Sequence, residues 1–170
     1  MRLISILIFA TMISGCAATY KQDTLVEANT KLVRGKSVAI STPSNGFYEE
    51  QEYSASGRIT AFAVRASFAR FTNAITVVPD CKDLMCLKKD QSTSYDYFVI
   101  PEILHWEDRA TEWSGKPDRI EIKITIYGGQ SSKELASTIV SGKSKWATFG
   151  GDHPQDLLPE PLNKYVESLY

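Results

Sequence analysis

The sequence predicts an α+β domain: a mixed sheet of about five strands in the order β-α-β, antiparallel meander, α, with helices packed on one face. Three observations lead there. A helical period of apolar residues runs through residues 58–72. Strict two-residue alternation carries four isoleucines through residues 119–127. Pro161 opens a terminal segment with Leu162, Tyr165, Val166 and Leu169 on one helical face. With 170 residues, 43% of them hydrophobic and 23% charged, the chain suits one domain. It is too polar for a multi-span membrane protein and too apolar for a disordered chain. A net charge of −1 argues against a strongly basic nucleic-acid binder.

Residues 37–42 form a short strand that stops before Pro43, and Asn45-Gly46 marks a turn. Residues 49–56 read as a polar loop. In the helix over 58–72, Ile59, Phe62, Ala63, Ala66 and Ala69 form the apolar face, widened by Val64, Phe68 and Phe71. Arg58, Arg65 and Arg70 supply its wet side. Residues 75–78 are a second strand, ending at Pro79. Residues 97–100 are apolar on both faces and read as a central strand; Pro101 predicts a bend or bulge in its continuation to Trp106. In the strand over 119–127, Ile120, Ile122, Ile124 and Ile126 point one way, and Glu121, Lys123 and Thr125 the other. Gly128-Gly129 turns the chain into a last strand, residues 135–148, with Gly142 as a weak point or bulge.

The amino terminus reads as an address. Arg2 precedes an apolar stretch over residues 3–13, too short for the roughly 20 residues of a membrane-spanning helix. It has the form of a secretory signal peptide. Ile13-Ser14-Gly15-Cys16 resembles the bacterial lipobox, whose small residues fit a peptidase cleft and whose thiol carries diacylglycerol; an ordinary signal peptide with a chance Gly-Cys is the alternative. This divides the chain into a signal peptide (1–15), a lipidated Cys16 with a polar tether (16–35) and one periplasmic domain (36–170). By analogy with enterobacterial sorting, Ala17 points to the inner leaflet of the outer membrane.

Cys81 and Cys86 remain, at C-x4-C spacing. An oxidising compartment favours a local disulfide. Two thiols alone do not complete a zinc site, and the spacing is not that of a C-x-x-C redox pair.

The segments Trp106-Glu107-Asp108-Arg109-Ala110-Thr111, Trp113-Ser114-Gly115-Lys116-Pro117-Asp118-Arg119 and Phe149-Gly150-Gly151-Asp152-His153-Pro154, with the lipobox, resemble a proteobacterial lipoprotein family carrying a domain-of-unknown-function label. That resemblance brings no catalytic residues. More weakly, the strand order resembles the domain shared by the amino-terminal part of TolB and the curli secretion lipoprotein, which implies an envelope adaptor or assembly component.

Catalytic patterns are weak. Gly35-Lys36-Ser37 and Gly142-Lys143-Ser144 lack the earlier glycine and the following helix of a phosphate loop. Ser114 or Ser144 with Asp152 and His153 has no nucleophile-elbow motif. His105, Glu107, Asp108, Asp152 and His153 have ligand chemistry but no metal-site spacing. Glu107 and Asp108 are strand neighbours and should diverge. The expectation is therefore a non-enzymatic protein with no cofactor and no metal. It would bind an envelope protein partner through Trp106, Arg109, Trp113 and Arg119, since Trp and Arg dominate binding hot spots. Alternatives are a peptidoglycan or polysaccharide module, in which the tryptophans stack on sugars, a subunit of an envelope assembly, and tryptophans that merely cap the core.

Overall fold

The computed structural model describes residues 18–89, 94–109, 116–145 and 153–170. The strands are β1 (Thr19–Val26), β2 (Val38–Ser41), β3 (Phe47–Tyr48), β4 (Gln51–Glu52), β5 (Ile75–Val78), β6 (Tyr97–Glu107), β7 (Arg119–Gly128) and β8 (Glu134–Lys143). The α-helices are α1 (Ser56–Phe68), α2 (Leu84–Lys89) and α3 (Pro159–Leu169), the last preceded by a 3-10 turn at Pro154–Leu157. Six strands form one mixed sheet in the order β1-β8-β7-β6-β2-β5, and β3-β4 is a separate hairpin. The predicted α+β class is the one observed.

The alternation in β7 does most of the specifying. Ile120, Ile122, Ile124 and Ile126 are all buried against α1, α3 and the 3-10 turn. Val99 of β6 joins them, whereas Phe98 and Ile100 face the opposite side with Ala39 of β2. Residues 97–100 are thus buried on both faces, as expected of a central strand. Leu87 of α2 closes that second face, so α2 lies opposite α1 and α3. The Cys81–Cys86 disulfide is formed, with Cα atoms 5.3 Å apart, and it holds the start of α2 against the end of β5. At the other end of the parallel pair, Asp96 accepts hydrogen bonds from the Ser37 backbone N–H (2.9 Å) and Oγ (2.8 Å). Those bonds, with Lys36 beside them, hold its carboxyl below the usual range.

Three expectations are corrected. Residues 19–26 are not a tether. They form an edge strand paired antiparallel to β8 from Thr19↔Lys143 to Val26↔Ser137. This strand is mostly exposed on both faces, so no apolar alternation marks it; its backbone ladder holds it. Leu32 is buried as well, and its N–H donates to Leu169 O at 2.8 Å.

The buried face of α1 is also different. Thr60, Ala61, Val64, Ser67 and Phe68 face the sheet, while Phe62, Ala66 and Ala69 are exposed. Gly57 sets this rotation: a Cβ there would stand 2.2 Å from Pro43 O, so the small-residue stripe must lie inward. The bulge expected in the continuation of β6 to Trp106 is present, between Ile103 and His105, and Pro101 itself pairs in register with Ile124. Pro101 is tolerated because β2 pairs with β6 only as far as Val99. Gly142, by contrast, is no bulge. It pairs with Ile120 and Tyr20 and permits close packing, since a Cβ would sit 3.0 Å from Leu157 Cβ.

Gly129 donates its N–H to Asp96 O at 2.7 Å, and a Cβ there would lie 1.8 Å from Tyr95 O. Gly129→Ala should therefore destabilise by about 2 kcal/mol or more, as expected when a packed backbone must move. Gly35, at φ 77° with open space around it, should cost only about 1 kcal/mol on substitution by Ala. Urea unfolding of the two variants checks the order.

Candidate functional site

The end of β6 carries His105-Trp106-Glu107, and strand alternation sends Trp106 to one face and its neighbours to the other. Trp106 is 2% exposed and belongs to the main core; its Cβ lies 2.5 Å from where a Cβ on Gly46 would be. The expectation that Trp106 contacts a partner is therefore corrected: the ring is a core residue under the β3-β4 hairpin. Trp113 and Cys16 lie outside the described residues, as does Asp152.

Glu107 is the chemical centre of this region. Its side chain is 6% exposed. One oxygen faces His105 Nε2 at 3.0 Å, and the other accepts a hydrogen bond from Arg109 Nε. Arg109 in turn donates to the Tyr48 hydroxyl at 2.5 Å and places its guanidinium over the Tyr48 ring, 4.9 Å from the centroid. Tyr48 closes the circuit by packing edge-on to His105, 5.5 Å between centroids. Burial pushes the Glu107 pKa up, but the hydrogen bonds from His105 and Arg109, with the charge of Arg109, outweigh it and hold the carboxyl below its usual range. Burial pushes the Tyr48 hydroxyl up, against the opposing charge of Arg109. The hydrogen bond to Glu107 holds Arg109 firmly protonated.

The backbone beyond is pinned too. Arg109 N–H donates to Asp118 Oδ1 at 2.6 Å, Asp118 N–H to Ser144 Oγ at 2.9 Å, and Ser144 N–H to Asp118 O at 3.0 Å. Both ends of the segment 110–117 are thereby fixed. Asp108 diverges from Glu107 and meets His153, whose Nδ1 is 3.5 Å away. Both Glu107 oxygens are engaged by neighbours, which suits a structural anion better than a general acid or base. Among the described residues, no cluster of three or more His, Cys, Asp or Glu side chains stands ready for a metal ion.

Arg119 is separate from this circuit. It faces the open side of the sheet in a row with Lys143 of β8 and Thr19 of β1. These residues, with Lys21, His105, Glu121 and Ser141, line a groove of about 570 Å³. A smaller groove of about 380 Å³ adjoins it between Tyr48, Arg109, Lys116 and Pro117. Of the predicted surface residues, Arg109 and Arg119 thus stand at one end of the sheet but do different work. Tyr48, His105, Lys21 and Lys143 were not singled out for a surface here; Lys21 and Lys143 come together only through strand register.

A family model matches residues 30–169, from just before Leu32 to the end of α3. The chain belongs to the DUF4823 family. That family is described as a domain of unknown function. No curated protein matches the sequence. The DUF4823 fold is similar to that of the PelC dodecamer from Paraburkholderia phytofirmans, with a TM-score of 0.62 at 16% identity, over 89% of this chain and 96% of that one. A variant PelC dodecamer from the same organism scores 0.60 at 14% identity, with the same coverage. Protein XCC0632 from Xanthomonas campestris, of family DUF330, scores 0.53 at 12% identity, over 86% of this chain and 92% of that one. At these identities the likeness is one of fold.

Trp106→Ala should cost about 3–5 kcal/mol, the range for a buried aromatic, and chemical denaturation of the purified variant measures it. Glu107→Gln should be less stable than the parent at neutral pH. Because the folded pKa of Glu107 lies below its unfolded value, its contribution is full above roughly 4.3 and fades as pH falls through the folded pKa. The Tm difference between parent and variant should shrink in that acidic window; a difference constant down to the acid limit would contradict the assignment.

Proposed function

We propose that this DUF4823 protein is a lipid-anchored envelope protein that works by docking to a protein partner at the membrane, without catalysis. Cys16 carries the lipid, the domain faces the periplasm, and the inner leaflet of the outer membrane is its place. The segment 110–117, with Trp113, supplies the contact; Arg109 acts by holding the base of that segment. The observation that carries this reading is the closed circuit of His105, Glu107, Arg109 and Tyr48, together with the Arg109–Asp118 bond. Such a circuit leaves the buried charge fully engaged and presents the intervening segment from rigid ends, which lowers the ordering cost of binding. Lipid attachment raises the local concentration of the partner site, so a modest interface suffices.

A second reading is favoured by one observation. The PelC structures that share this fold are dodecamers. In that reading the partner is another copy of the chain, and the protein is a subunit of an envelope assembly.

Photocrosslinking in cells from position 113 of the lipidated protein separates these readings. A discrete adduct with a different protein is expected from docking, and a self-adduct from assembly. Adducts carrying glycan fragments would overturn both in favour of a sugar-binding surface. Crosslinking from exposed Arg58 on α1 should give several-fold less of the same adduct.

A further inference from the structure

The groove beside Arg119 lies at the end of the sheet where β1 begins, and the anchor lies only a few residues away. We infer that this end of the sheet sits on the phospholipid headgroup layer, with Lys21, Arg119 and Lys143 against lipid phosphates. The inference rests on the lipid-anchor reading of Cys16.

Geometry comes first. From Cys16 to Thr19 there are three Cα steps, which span at most about 11 Å fully extended. Acyl chains on Cys16 fix that residue at headgroup depth. Thr19 is already in the ladder, opposite Lys143, and Tyr20 opposite Gly142 packs against the core. With so short a link the domain has no room to stand away from the bilayer. The near end of the sheet is the Thr19–Lys143–Arg119 row. The far end, at the β7–β8 turn, is about 30 Å away along strands of this length.

Charge comes second. Neighbouring strands put Lys143 and Arg119 on adjacent positions of one face, and Lys21 lines the same groove. Neither Arg119 nor Lys143 forms an ion pair among the described residues. Three carboxylates lie nearby among the described residues, and two of them are engaged. Asp23 pairs with Lys21 at 2.7 Å, Glu107 is buried between His105 and Arg109, and Glu121 faces the groove. A cationic row beside a membrane anchor complements the phosphates of the lipid surface.

The test uses the mature lipidated protein in vesicles of phosphatidylethanolamine and phosphatidylglycerol. A bimane fluorophore is placed at Ser141→Cys, in the groove, or at Ser131→Cys, in the distant turn, and lipids with a nitroxide on the headgroup serve as quencher. Quenching at 141 should exceed that at 131 several-fold, and a Lys21→Glu/Arg119→Glu/Lys143→Glu variant of unchanged Tm should lose at least half of the difference. Intact mass reports whether Cys16 carries diacylglycerol. Lipid present with equal quenching at both positions overturns the seating alone. Lipid present with quenching unchanged by the charge reversals overturns the part assigned to the three cations. Lipid absent overturns the anchor and the seating together.

Discussion

The isoleucine stripe of β7 constrains everything around it. Ile120, Ile122, Ile124 and Ile126 line one face of a strand that has neighbours on both sides, so that face must be covered along its whole length. Each such side chain gains roughly 1.5–3 kcal/mol on burial, so leaving the stripe wet would forfeit most of a domain's net stability. Two helices and the 3-10 turn are what it takes to cover it. Once α1 and α3 are committed to that side, the alternate residues of β7 are covered only at its far end, where Thr125 is buried and Tyr127 packs on the smaller core beside α2; Arg119, Glu121 and Lys123 stay wholly or partly exposed. They carry charge instead, as in the Lys123–Glu102 bridge at 2.9 Å.

The open part of that face is thus a by-product of core formation. A deeply buried charge at its end, Glu107, is compensated on the spot. Removing either partner, His105 or Arg109, would leave a carboxylate out of water with half its bonds, which costs more than the pair itself contributes. That arrangement ties β3, β6 and the start of β7 into one rigid corner. The row of Thr19, Lys143 and Arg119 beyond it is polar, and neither Lys143 nor Arg119 forms an ion pair among the described residues.

The meander, β7 and α3 were legible because each buries a single face, and a single buried face writes a period of two or 3.6 into the sequence. β1 wrote nothing, because an edge strand wet on both sides needs only a backbone partner. The face of α1 was misread for a related reason. Its inward stripe includes Gly57, Thr60 and Ser67, which count as polar or neutral in any hydrophobic pattern but are small enough to lie against backbone. Trp106 was placed on the surface through its reputation as a contact residue, although alternation with His105 and Glu107 already assigned it to the opposite face. Tyr48 had no local signal, since it meets Arg109 from 61 positions away.

The pairing of β1 with β8 has a consequence for how the molecule is made. Thr138 Oγ1 donates to Asp23 O across 115 positions, and Lys31 reaches Ser168 O across 137. A strand that emerges early therefore waits for partners that emerge very late, and the closure entropy of that long loop is due before any contact rewards it. A chain made amino terminus first cannot complete this sheet before its carboxyl end is available. The same long-range stitching that gives the folded domain its outer edge leaves that edge unfinished until the carboxyl end of the chain is in place.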